Sequence, residues 1–273
     1  RRSCASVIVV DAHVRRLALP LTALSLAVVV VSAFLRLHGA GLGCADWPAC
    51  YGQVLAATTH APPPLGRLIH RIVATSALLL AIWLAWTGWR LRPRPAWARP
   101  AFALLGLMLC LSVVGIWSSD PRRFLINFVN LLGGLALVPL SWRIVIASDG
   151  ARGRIGPVFA AGMACLSLAV LLGAWVGASY SALDHSAGGV MLNWGHRAIA
   201  VAAVLLLGHV AYKRRNAPAA KAMLGLLGLE ALLGVLLVVD FPLWAGVAHN
   251  AAAAALLAAA TQLAGRESGG SGA

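Results

Sequence analysis

Eight long apolar runs, separated by short polar or basic segments, leave this chain few folds to choose from. Crossing the hydrocarbon of a bilayer takes about 20 apolar residues in a helix. Runs of about that length lie at 17–35, 67–89, 101–117, 124–142, 157–178, 192–212, 221–239 and 245–263. They predict an all-α polytopic membrane protein. Composition agrees: 60% of the 273 residues are hydrophobic and 11% charged, whereas a soluble domain carries roughly a quarter charged residues. The first run is too long, and lacks the small-residue cleavage site, for a signal peptide. The tail from Glu267 to Ala273 has the composition of a flexible linker.

A net charge of +14 would suit a nucleic-acid partner if the basic residues formed a face or a stripe. They form short clusters between apolar runs instead, which excludes that class and points to membrane orientation. One side collects Arg15, Arg16, Arg90, Arg92, Arg94, Arg99, Arg143, Arg152, Arg154, Lys213, Arg214, Arg215, Lys221 and Arg266. The other has Arg36, Arg122 and Arg123 in its loops, with Arg67, Arg71 and Arg197 near helix starts. The positive-inside rule then places both termini in the cytoplasm, as expected for a bacterial inner-membrane protein. Asp46, Asp120, Asp184 and Asp240 fall one in each outer loop. Trp47, Trp117, Trp194 and Trp244 near the outer boundary, and Trp89, Trp97 and Trp142 near the inner one, are expected as interfacial anchors.

An internal repeat sets the expected architecture. Helix 2 opens Leu68-Ile69-His70-Arg71-Ile72-Val73-Ala74, and helix 6 opens Trp194-Gly195-His196-Arg197-Ala198-Ile199-Ala200, with the two histidines 126 residues apart. Helices 4 and 8 echo one another more weakly, Val129-Asn130-Leu131 against Ala248-His249-Asn250. An even number of spans separates the copies, so the repeat is parallel. The expectation is two four-helix bundles: an N-terminal half over 1–150, a C-terminal half over 151–264, and a tail over 265–273.

His196 and His249 each fall about five residues into an outside-to-inside span. At about 1.5 Å per residue that is roughly 7–8 Å below the outer boundary. Two imidazoles at equal depth on helices of one bundle suit the axial positions of a haem iron, and Arg197 would meet its propionates. A lone histidine at an interface is commonly a polar anchor, but ionisable groups inside a membrane are functional candidates. The match in depth between equivalent helices favours ligation. His13 and His209 are expected to face the cytoplasm, and His38, His60 and His185 to be solvated in outer loops. Glu230, in the middle of helix 7, fits either a proton relay or a neutral, hydrogen-bonded carboxyl between helices, the second being favoured. Arg36 and Arg71 fit either propionate binding or snorkelling to the interface.

The first outer loop contains Cys44 and Cys50. On the oxidising side a disulfide closing a short loop is expected, with a redox-active dithiol as the alternative. The run GAGLGCADWPACYGQ, followed by LIHR, resembles the haem A synthase family. VGIWSS, NLLGG and LLGAWVGA extend the resemblance along all eight helices. It implies oxidation of a methyl group of haem O to the formyl of haem A, with haem b (iron) held in the C-terminal half. By motif, His196 and His249 match its haem b ligands, His70 a ligand on the substrate side, and Cys44 and Cys50 the outer-loop cysteines. Its partners would be a haem O synthase as supplier, the assembling cytochrome oxidase, the lipid bilayer and a further copy of the chain. The sequence departs from the family pattern at Arg67, where a glutamate is usual, and at Asn130, where a histidine is usual. Haem at His70 would therefore lack a second histidine from helix 4. Two other classes compete: a non-catalytic haem b-binding electron-transfer protein, and a small-molecule transporter without haem.

Overall fold

The computed structural model describes residues 4–39, 64–117, 123–148, 156–179, 186–239 and 242–265. Cys44, Cys50, His60, His185 and the outer-loop aspartates, with the expectations attached to them, lie outside these residues. Among the described residues there are eight α-helices: α1 (Cys4–Gly39), α2 (Pro64–Arg90), α3 (Ala98–Val114), α4 (Phe124–Ser148), α5 (Pro157–Ser179), α6 (Ala187–Lys213), α7 (Pro218–Val239) and α8 (Leu243–Gly265). Seven are long and apolar enough to cross a membrane, and α3 is a shorter apolar helix of 17 residues. Three of them, α2, α5 and α7, open on proline, whose fixed φ and missing N–H suit the first helical position.

Large apolar side chains face outward all along these helices. Leu79, Val201, Leu205 and Val235 are each about 60% exposed or more. In water such a surface would aggregate. In a bilayer it is the lipid-facing surface, and the chain is a multi-pass membrane protein.

One buried cluster joins α1 to α4 through residues such as Leu21, Leu84, Leu104 and Ile144. A second joins α5 to α8 through Phe159, Leu207, Met223 and Leu256. Neither is isolated. Val29, Leu135, Val138, Ala254 and Ala258 form a third cluster where α1 and α4 pack on α8, and α4 also packs on α5. Polar contacts cross the same seam: Trp142 Nε1 donates to Gln262 Oε1 at 2.8 Å. The contacts are those of one continuous bundle and do not by themselves define two closed four-helix units.

With lipid tails as apolar as the helices, close backbone approach is a main source of helix–helix cohesion. Gly88 supplies it between α2 and α3, where an added Cβ would sit 2.9 Å from Ala98 Cβ and 3.0 Å from the Trp97 ring. Trp97 is accordingly buried rather than interfacial. Trp142 likewise turns inward, to Gln262, instead of anchoring at the boundary. Trp89, Trp117, Trp194 and Trp244 are exposed.

Candidate functional site

His196 and His249 lie on α6 and α8. α6 begins at Ala187, ahead of its apolar run. Counting from the helix starts, His196 is the tenth residue of α6 and His249 the seventh of α8.

In each ring Nδ1 stands close to an oxygen, by a hydrogen bond in His196 and by ion-pair distance alone in His249. His196 Nδ1 is 2.9 Å from the carbonyl oxygen of Ala169 on α5. A carbonyl only accepts, so Nδ1 carries the hydrogen and Nε2 keeps its lone pair. Gly173, one turn further along α5, makes room for this ring: a Cβ there would lie 2.9 Å from His196 Cε1. His249 Nδ1 stands 2.5 Å from Glu230 Oε2 on α7. The approach is ion-pair close but falls outside hydrogen-bond geometry, and Glu230 Oε1 is buried without a hydrogen-bond partner. Glu230 is 11% exposed and His249 28%. This pairing escaped the sequence reading, which offered Glu230 no partner. A signal existed: Glu230 is the sole acid inside the membrane-length spans.

On the N-terminal side, His70 Nε2 is 2.8 Å from Ser32 Oγ on α1. His70 is the seventh residue of α2 and Asn130 the seventh of α4. Asn130 is partly buried, whereas Arg67 and Arg71 are exposed. Arg71 lines a groove of about 320 Å³ with Ile72, Thr75 and Ser76.

Arg36 does more than snorkel. It donates to Gly177 O on α5 at 3.3 Å and to Asn250 Oδ1 on α8 at 3.4 Å. It therefore ties the helix that carries Ser32 to the residue after His249. Arg197 lies over the Trp194 ring, 5.3 Å from its centroid. His38 was expected in a solvated loop, but it belongs to the last turn of α1. Its Nδ1 is buried without a hydrogen-bond partner, and its ring lies 5.6 Å from that of Phe34. Among the described residues, no group of three or more His, Cys, Asp or Glu could hold a metal ion.

The fold thus defines an all-α membrane protein with histidines held in two regions of its helices. Comparison with known proteins narrows this class. The COX15-CtaA family model, described as cytochrome oxidase assembly protein, matches residues 15–63. A heme A synthase of Shewanella oneidensis is 28% identical over 303 residues, covering 85% of this chain and 90% of that protein. A heme A synthase of Symbiobacterium thermophilum is 33% identical over 109 residues, covering 38% of this chain and 32% of that protein. The chain is thus similar to heme A synthases along most of its length, and its residues 15–63 match the COX15-CtaA family model.

Proposed function

We propose that this chain is a haem A synthase-like membrane oxidoreductase that converts the methyl group of haem O to the formyl of haem A. In this reading haem b is held by His196 and His249 in the C-terminal half, residues 151–264. The observation that carries it is the common orientation of the two rings. Each has Nδ1 against an oxygen, Ala169 O or Glu230 Oε2, which leaves Nε2 of each for iron. The residues present suit a porphyrin iron: two imidazoles, and a glycine that makes room for one ring. Bound there, a bis-imidazole haem supplies one-electron transfer. His196 and His249 would hold it, Arg197 is the candidate partner for its propionates and Arg71 for those of the substrate haem, and Arg36 would hold the two halves in register.

The substrate haem would sit in the N-terminal half, residues 1–150, with His70 toward its iron and Cys44 and Cys50 bridged in the outer loop above it. The two halves would be parallel four-helix repeats with both termini in the cytoplasm. Haem O synthase would supply the substrate, and the product would serve cytochrome oxidase assembly.

Purified protein co-expressed with a haem O synthase tests the reading, by pyridine haemochrome spectra and chromatography of extracted haem. The expected result is haem b together with haem O or A, and loss of haem b in His196→Ala and His249→Ala variants that still insert in the membrane. Unchanged reduced spectra in both variants would sink the ligand assignment.

A second reading has its own support. Asn130 is a poor iron ligand, Arg67 reverses the charge usual at its position, and His70 Nε2 is already engaged by Ser32. A haem b protein without a working substrate site would show one haem type, and His70→Ala would alter neither haem content nor activity. In the enzyme, His70→Ala stops product formation and leaves haem b in place.

A further inference from the structure

Glu230 is a costly residue in its position. It lies within α7, 11% exposed, and the other charged residue of that helix, Lys221, sits in its first turn, nine residues away. Burying a carboxyl among apolar side chains is unfavourable unless it has a partner, and its close polar partner is the His249 ring. Oε2 lies 2.5 Å from Nδ1, at ion-pair distance though outside hydrogen-bond geometry, and neither Nδ1 nor Oε1 has a hydrogen-bond partner among the described residues. A residue kept only to cement two helices would be better served by leucine.

His196 has a different support. Its Nδ1 faces a neutral backbone carbonyl, Ala169 O, and that acceptor is available whatever the local side chains are. The two histidines are thus matched in orientation and unmatched in support, carbonyl against carboxyl. A group accepting from the distal N–H of an imidazole ligand fixes the tautomer and strengthens the other nitrogen as a donor. An ionised carboxylate oxygen is a stronger acceptor than a peptide oxygen.

We infer that Glu230 is a positioning residue for His249, holding the ring by Nδ1 so that Nε2 points to the haem iron, and making it the stronger donor of an unequal axial pair. The inference rests on the haem b reading above. Stronger donation favours ferric over ferrous iron, so the glutamate lowers the reduction potential of this haem. Two variants separate this role from a merely structural one. Glu230→Gln keeps the shape and an acceptor oxygen but weakens it, whereas Glu230→Ala removes the acceptor.

The test is spectroelectrochemical titration and electron paramagnetic resonance of full-length protein, together with haem loss to apomyoglobin. Glu230→Gln should retain haem with a raised midpoint potential and altered low-spin g values. Glu230→Ala should lose haem about 10–100-fold faster, the usual cost of deleting a ligand's supporting group. Wild-type potential and g values in Glu230→Gln, with wild-type retention in Glu230→Ala, would overturn the inference while leaving the haem reading intact. Wild-type protein that takes up no haem b would overturn the haem reading itself, and the inference with it.

Discussion

Ser32 Oγ lies 2.8 Å from His70 Nε2, linking α1 to α2 at the histidine that heads the N-terminal half. The nitrogen an iron would use is therefore already engaged by a hydroxyl. One turn along α1 from Ser32, Arg36 reaches α5 and α8. One face of α1 thus touches both histidine regions.

Removing the hydroxyl should make His70 a better ligand. A hydrogen bond of this kind contributes about 1 kcal/mol, so Ser32→Ala is expected to strengthen haem binding in the N-terminal half roughly fivefold. Haem titration of protein already loaded at its C-terminal site measures this. Weaker binding in the variant would show that Ser32 holds His70 in its working orientation instead.

Gly173 is expected to tolerate no side chain. The added Cβ of Gly173→Ala would come within 2.9 Å of His196 Cε1, forcing the ring away from Ala169 O. Overpacking of this sort costs about 1–3 kcal/mol. Haem b content should fall on the order of tenfold while the helical circular dichroism stays as in wild type. Undiminished haem content would mean that α5 moves to accommodate the methyl.

Gly88 governs a different property. Gly88→Val would drive a branched side chain into Ala98 and Trp97 and separate α2 from α3. A fall in the detergent-solubilised unfolding midpoint is expected, equivalent to about 1–3 kcal/mol. The haem b spectrum of the folded fraction should not change, because the contact belongs to the α1–α4 cluster. A spectral change would show that the two clusters communicate.

The number of helices was legible in the chain, because an apolar run long enough to cross hydrocarbon has almost no other use, whereas their limits were not, since α1 reaches back to Cys4 and α6 to Ala187, ahead of their apolar runs. Seven runs match membrane-length helices, and the run at 101–117 corresponds to the shorter α3. The histidines of interest were legible too, since an ionisable group in an apolar helix is expensive and therefore conspicuous. What the sequence by itself could not decide is which side chains meet across the bundle. Helices that are apolar on every side carry no stripe to tell which face turns inward. Hence Trp97 and Trp142 looked like boundary anchors until packing placed one against Gly88 and the other against Gln262. For the same reason Glu230 and His249, 19 residues apart on neighbouring helices, and Arg36 and Asn250, at opposite ends of the chain, showed no relation in sequence. Only the tertiary structure pairs them, because rotation about a helix axis is set by packing and not by hydropathy.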